Sequence, residues 1–355
     1  MDEKSKAIGS LPVPNVQSLS EEFHGSESIP LRYLRAEAEL DPVVSDDDWE
    51  IPIVDFSRLI DPELSAQESA RLHLACRDWG FFQLINHNIP YEVIEKVKVD
   101  VTKFFKLPLE EKKACRQLPG NLEGYGQLFV MSEDQKLDWA DILYLNTQPV
   151  KQRNMSFWPS QPLTFRHTLD KYSSELYLLA DVVLGFMAKN LGINPEVFAN
   201  MFKDGIQSVR VNYYPPCPLA EKVLGFSPHS DGSLITLVLQ ANQVQGLQIK
   251  KNGGWVTVKP LSGAFVVNIG DSLEILSNGI YQSIEHRAIV NKEKERISIA
   301  AFHSPNSDFM IGPLPDISGV NEARYRTLNN KDFIKLFFSA KLEGKSLLDG
   351  MKLNR

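Results

Sequence analysis

Cysteine is scarce in this 355-residue chain: Cys76, Cys115 and Cys217 are the only three, far apart and without CxxC spacing. Such a count excludes a disulfide framework and a cysteine-ligated zinc cluster, and isolated thiols predict a reducing, cytoplasmic setting. Long apolar runs are missing too, none approaching the ~18 residues of a membrane span. The N-terminus, MDEKSKAIGS, has acidic residues where a signal peptide carries an apolar segment. Nor is positive charge in excess: 38 Lys and Arg against 45 Asp and Glu leave a net charge of −7, which counts against a nucleic-acid or anionic-membrane surface. There is no GxSxG elbow, HExxH or P-loop, and Gly124-x-Gly126 lacks the third glycine of a dinucleotide fold. The sequon Asn154-Met155-Ser156 has no secretory signal beside it and is read as chance. With 43% apolar residues the chain can bury a large interior. The expectation is a soluble cytoplasmic monomer whose partner is a small molecule, with no nucleic acid and no membrane.

Hydrophobic periodicity divides the chain into five stretches. Residues 1–48 are polar, end in Asp46-Asp47-Asp48, and predict an arm with one short helix. Residues 49–160 begin with a strand at Ile51–Phe56. Leu72, Ala75, Cys76 and Trp79 then follow the i, i+3, i+4, i+7 pattern of a helix stopped by Gly80, and Phe81–Ile85 makes a second strand. Ile94, Val97, Val101, Phe104 and Phe105 mark another helix before Pro108. A long helix is predicted over roughly 166–190 within a supporting stretch 161–200, its buried stripe running from Leu169 to Phe186. From 201 to 310 the period drops to two. Six short β-branched segments alternate with turns, Asn252-Gly253-Gly254 being a hairpin signal. The tail, 311–355, returns to helix, and Phe333, Ile334, Leu336, Phe337 and Phe338 predict that it packs across the mouth or flank of the β-core. The fold class is therefore β-rich α+β: a double-sheet jelly-roll core with an N-terminal helical scaffold and a C-terminal helix.

His229-Ser230-Asp231 precedes one of the predicted strands, and His286 lies in another strand-like segment. Two imidazoles and a carboxylate can occupy one face of an octahedral metal and leave three positions open. Residues 229 and 231 point the same way from an extended backbone, and His286 is expected from a facing strand. Alone, an HxD pair reads as a surface turn. Ten residues after His286, however, Arg296 and Ser298 again share one strand face, and a guanidinium fork with a hydroxyl suits a carboxylate. A 2-oxo acid chelating the metal could place its far carboxylate on Arg296. The stretch Asn268, Gly270, Asp271 is read as a β-turn of structural use, and His87 as structural.

These motifs in order, with Asn212-Tyr213-Tyr214-Pro215-Pro216-Cys217-Pro218 and Trp79-Gly80-Phe81-Phe82-Gln83-Leu84-Ile85-Asn86-His87, resemble the plant soluble 2-oxoglutarate/Fe(II)-dependent dioxygenases over roughly residues 50–345. Gly124-Tyr125-Gly126-Gln127 and Ser132–Trp139 are similar to the branch with the poppy alkaloid O-demethylases and the senescence-related and strigolactone-pathway oxidoreductases. The resemblance implies a double-stranded β-helix binding Fe(II), 2-oxoglutarate as co-substrate and O2, with ascorbate as a helper. It implies His229, Asp231 and His286 as iron ligands. Arg296, Ser298 and Tyr214 would meet the distal carboxylate of 2-oxoglutarate, with Asn212 beside its metal-bound end. It further implies Ile142, Tyr144, Arg210, Leu234, Phe302 and Phe309 as substrate-pocket walls. Asn88 stands where the family usually has glycine, and asparagine tolerates a left-handed turn; Ser230 replaces the usual threonine.

The implied activity is hydroxylation or O-demethylation of a small, largely apolar plant specialised metabolite or hormone-related compound. Three alternatives share parts of the pattern. One is an oxidase like the ethylene-forming ACC oxidases, which does not consume 2-oxoglutarate. Another is a non-catalytic small-molecule-binding protein on the same fold, and the last is a zinc hydrolase using the same triad.

Overall fold

A computed structural model describes residues 11–22, 29–35, 43, 50–128, 130, 132–318, 322–339 and 345–353. The acidic run 46–48 and His24 lie outside the described residues. Two facing sheets make the core. The major sheet has eight strands in the order Ile53–Asp55, Phe81–Ile85, Phe265–Ile269, Ile235–Gln240, Arg296–Ser304, Ile206–Tyr214, Asp141–Gln148 and Gly124–Gly126. Its first pair is parallel and the rest are antiparallel. The minor sheet has four, Phe226–His229, His286–Ala288, Leu247–Lys251 and Gly254–Thr257. Its hairpin turns at Asn252 and Gly253, whose φ of 50° and 81° are what a two-residue primed turn requires. The architecture is a jelly roll, as the period-two segments predict.

The major sheet also draws four strands from the N-terminal region: Ile53–Asp55 and Phe81–Ile85 fall on the two predicted strands, whereas Gly124–Gly126 and Asp141–Gln148 are not predicted by the periodicity. Asp141–Gln148 gives no alternating signal because both of its faces are largely buried and its polar residues, Asp141, Asn146, Thr147 and Gln148, gather at its ends around the apolar run Ile142–Leu145. Odd-numbered residues of the central strands, among them Leu143, Val209, Val211, Leu237, Ile297 and Ile299, enter one large apolar core. The 26-residue helix Phe165–Asn190 closes that core, with Leu169, Tyr172, Leu176 and Val183 on its buried stripe. Even-numbered residues of the same strands face the interior of the roll, between the two sheets. This alternation follows from the pleat.

Both termini fold back onto the roll. The arm helix Val16–Glu22 is tied to the start of the Asp141–Gln148 strand, where the backbone N–H groups of Val16 and Gln17 donate to the Asp141 carboxylate, each at 2.9 Å. Burial pushes that carboxyl up to about 6, against those hydrogen bonds and nearby Lys112. The tail helix Asn330–Ser339 lies at the open end of the roll, as its aromatic content predicts, bringing Phe333, Ile334, Phe337 and Phe338 there. In the left-handed turn after Phe81–Ile85, Asn86 and Asn88 have φ of 52° and 60°, and His87 is held by the Gly263 carbonyl at 2.9 Å. That placement is structural.

Gly80 joins helix to sheet with φ +63°, and a Cβ there would lie 2.2 Å from the Gln282 carbonyl oxygen. Gly80→Ala is expected to cost roughly 2–4 kcal/mol, the range for backbone strain plus a hard clash. Urea unfolding of the purified variant checks it; a loss under about 1 kcal/mol would mean that the neighbouring segment yields freely.

Candidate active site

His229 ends its minor-sheet strand and His286 begins the next one, where the two are paired directly across the ladder. His286 therefore comes from the adjacent strand of the same sheet and not from a facing one. Their ring centroids are 4.2 Å apart. Asp231, two residues past His229, puts Oδ1 at 3.5 Å from His229 Nε2 and 3.7 Å from His286 Nε2. One ligand atom from each residue falls within 4.8 Å of the others, and all three side chains are buried.

Surrounding groups fix the orientation of each ligand. His229 Nδ1 bonds the Ser227 carbonyl at 2.8 Å and His286 Nδ1 the Ile284 carbonyl at 3.1 Å. A carbonyl only accepts, so each Nδ1 carries the proton and each Nε2 presents a lone pair. Asp231 Oδ2 accepts from Thr236 Oγ1 at 2.7 Å and Asn268 Nδ2 at 2.8 Å, which turns Oδ1 toward the imidazoles. Burial alone would raise the Asp231 carboxyl, yet His286, His229 and the Asn268 bond hold it well below the usual carboxylate range. Burial, reinforced by the neighbouring His229 imidazole, pushes His286 down to about 4, so it is neutral at physiological pH. Among the described residues, buried His229 Nε2 has no hydrogen-bond partner. Three lone-pair donors aimed at one point without a proton between them fit a divalent cation, and two imidazoles with one carboxylate are the facial set of non-haem iron.

The stretch Asn268, Gly270, Asp271 is not a plain β-turn. Asn268 bonds Asp231, and Asp271 opens the short helix Asp271–Leu276. Its backbone N–H donates to the Asp231 carbonyl at 2.7 Å, and its carboxylate accepts from Ser230 Oγ at 3.0 Å. Gly270 is required by close approach, since a Cβ would come within 2.1 Å of the Ser233 carbonyl oxygen. The segment clasps the metal loop, which a glycine-flanked polar stretch does not reveal in sequence.

A narrow recess leads inward from the triad and is lined by Asn212, Tyr214, Arg296 and Ser298. Register brings these together: Arg296 pairs with Tyr214, and Ser298 with Asn212, on the inward face. The Arg296 guanidinium is fully buried, lies 5.1 Å over the Tyr214 ring, and is held by Gln240 Oε1 from Nη2 at 2.7 Å and Nε at 3.1 Å. Burial lowers its affinity for the proton. No carboxylate of the described residues pairs with it; Glu295 instead accepts from Tyr213, which turns the other way and stacks on Phe105. A buried, oriented guanidinium without an anion fits the far carboxylate of a dicarboxylic 2-oxo acid. Gln240 carries no motif, and only its even-numbered place on the Ile235–Gln240 strand hints at its position.

Outward from the triad is a cavity of about 420 Å³ lined by Tyr144, Ser208, Arg210, Phe302 and the tail-helix aromatics. Arg210 also reaches the recess, its guanidinium 4.2 Å from the Phe226 ring centroid and 5.1 Å from that of Phe302. The other three expected wall residues lie elsewhere. Leu234 is wholly buried in the helix-side core. Ile142 opens on a separate polar cleft beside Asp138 and Ser227. Phe309 packs between the main core and the cluster around Ile311 and Tyr325. In sequence an apolar strand residue has no mark of its face until register is known.

The 2OG-Fe(II) oxygenase superfamily matches residues 205–305, and the N-terminal region of the non-haem dioxygenases in morphine synthesis matches 51–161. S-norcoclaurine synthase 1 of Coptis japonica is 53% identical over 348 residues, covering 97% of each chain. Oxoglutarate-dependent flavonoid 7-O-demethylase 1 of Ocimum basilicum is 46% identical over 99% of this chain and 94% of its own. Among solved structures, JOX2 in complex with 2OG, Fe and JA superposes with a TM-score of 0.88 at 38% identity, covering 97% of this chain and 99% of that one.

Asn268→Ala removes one of two donors holding Asp231 and is expected to weaken Fe(II) binding about 10- to 100-fold. Anaerobic Fe(II) titration of the variant measures it, and unchanged affinity would show that Thr236 alone suffices.

Proposed function

The chain belongs to the 2OG-Fe(II) oxygenase superfamily and is an Fe(II)- and 2-oxoglutarate-dependent dioxygenase, and we propose that it hydroxylates or O-demethylates a small, largely apolar plant specialised metabolite or hormone-related compound. One observation carries this reading beyond family membership. A buried guanidinium without an anion, on Arg296, shares an enclosed recess with three metal-ready ligand atoms, and that recess meets a cavity of ring-compound size at Arg210.

His229, Asp231 and His286 would hold Fe(II), Arg296 with Ser298 and Tyr214 the distal carboxylate of 2-oxoglutarate, and Asn212 would lie beside the inner end. When bound, Fe(II) and 2-oxoglutarate supply activation of O2 coupled to decarboxylation of the co-substrate to succinate. The polypeptide contributes position and dryness. Neutral His286 and the Nδ1 bonds of both histidines keep the ligand set free of competing protons. Tyr144 and Phe302 give apolar walls, and Phe333, Phe337 and Phe338 screen the cavity mouth from water. The substrate carbon that these walls hold nearest the triad is the one oxidised; at a methoxyl carbon the product hemiacetal loses formaldehyde. We read the protein as a monomer, and its three buried free cysteines support a cytoplasmic setting.

The test is anaerobic titration of the metal-free protein with Fe(II) and 2-oxoglutarate, followed by the visible charge-transfer band. The band is expected to need both additions, to vanish in His229→Ala and to require at least about tenfold more 2-oxoglutarate in Arg296→Lys, which loses the planar fork. Tight Fe(II) binding with no band, together with turnover indifferent to 2-oxoglutarate, would overturn the reading.

A further inference from the structure

Glu123 stands on the wall of the outer cavity and has no part in holding iron or 2-oxoglutarate. It is 7% exposed, and its Oε1 accepts the backbone N–H of Asn146 at 2.8 Å. Among the described residues no Lys, Arg or His comes within 4.0 Å of its carboxylate. Burial pushes this carboxyl up, opposed by the backbone and the side chain of Asn146. A carboxylate without a counter-charge beside an apolar cavity is costly. An occupant that carries the opposite charge removes that cost.

The strands fix where along the cavity this charge sits. Asp231 is anchored by Thr236, and Glu123 by Asn146. Thr236, Phe302, Ser208 and Asn146 are successive partners in one row across four strands. Three strand spacings of ~4.8 Å put the two anchors about 14 Å apart along the curved sheet. Arg210 lies at the inner part of that path, between the rings of Phe226 and Phe302. Tyr144 stands between the charges, and its hydroxyl feels Glu123 and Arg210 in opposite senses. Arg210 thus disfavours a cationic group on the inner part of the path, and Glu123 attracts it to the outer end.

We infer that Glu123 receives a protonated amine, so that the substrate is a basic, otherwise apolar ring compound oxidised at a carbon some two ring-widths from its nitrogen. This deepens the oxygenase reading and rests on it. Charge at the two ends then selects orientation as well as class, because the reversed pose would set the ammonium group beside Arg210 and the metal ligands.

The test is calorimetric binding to the full chain loaded with 2-oxoglutarate and redox-inert Zn(II). The probes are methoxylated N-methyl-tetrahydroisoquinolines and their neutral carbocyclic counterparts, the methoxytetralins. The unaltered protein is expected to prefer the amines by about tenfold or more, the value of one charge-assisted contact. Glu123→Gln keeps an acceptor for the Asn146 N–H and is expected to abolish the preference while leaving tetralin and 2-oxoglutarate affinities unchanged. Equal affinity of the unaltered protein for both probe types, binding of neither included, would overturn the assignment, as would a preference that survives in Glu123→Gln. Failure of the unaltered protein to bind 2-oxoglutarate would instead overturn the oxygenase reading beneath it.

Discussion

Registration of the Arg296–Ser304 strand between Ile206–Tyr214 and Ile235–Gln240 is the constraint on which everything else depends. With side chains alternating every residue, this pairing sends Arg296, Ser298 and Phe302 inward while Ile297, Ile299 and Ala301 enter the apolar core. A slip of one residue would bury the guanidinium among leucines and expose isoleucines to the recess. The hydrophobic effect acting on the odd positions therefore positions the polar chemistry at the even ones. The long helix Phe165–Asn190 contributes to catalysis only in this sense: it supplies the surface against which the odd positions are sorted.

What the register places inside is electrostatically expensive. Asp231, Arg296, Arg210 and Glu123 are all buried, and among the described residues only Asp231 of these four has charged or ionisable neighbours within ion-pair distance. Buried charges of this kind lower the stability of the empty fold and strengthen attraction for ligands of opposite sign. A divalent cation answers Asp231, a dicarboxylate answers Arg296, and the basic substrate proposed above answers Glu123, while Arg210 lies against the rings of Phe226 and Phe302. The rigid surroundings keep those charges from relaxing toward one another: Gln240 pins Arg296, the Asn146 backbone pins Glu123, and Thr236 with Asn268 pins Asp231.

The parts of this arrangement legible in the sequence were those with local signatures. His229-Ser230-Asp231, Arg296-Ile297-Ser298 and the hairpin at Asn252-Gly253 are each specified within a few residues, and the period-two segments revealed the roll. Relations between distant strands were not legible. Nothing within the segment around His286 says whether its strand adjoins that of His229 or faces it, since hydrogen-bond partners are not encoded locally. Leu234 and Phe302 are both apolar and both near strand ends, yet one enters the core and the other lines the cavity. Asn268 and Asp271 look like turn residues because polar side chains that serve a buried neighbour have the same composition as those that serve solvent. Glu123 was invisible for the same reason: only the fold removes water from it.

The tail helix supplies Phe333, Ile334, Phe337 and Phe338 to the cavity from a segment outside both main sheets, and Phe337 rests on Gly232, next to Asp231. Mutations in this helix can alter the shape of the entrance while the strand pairings that hold the metal ligands go undisturbed. The scaffold is in that respect modular for evolution. The chemistry is inherited with the roll, and the diet of the enzyme can drift through a handful of aromatic codons in the tail helix.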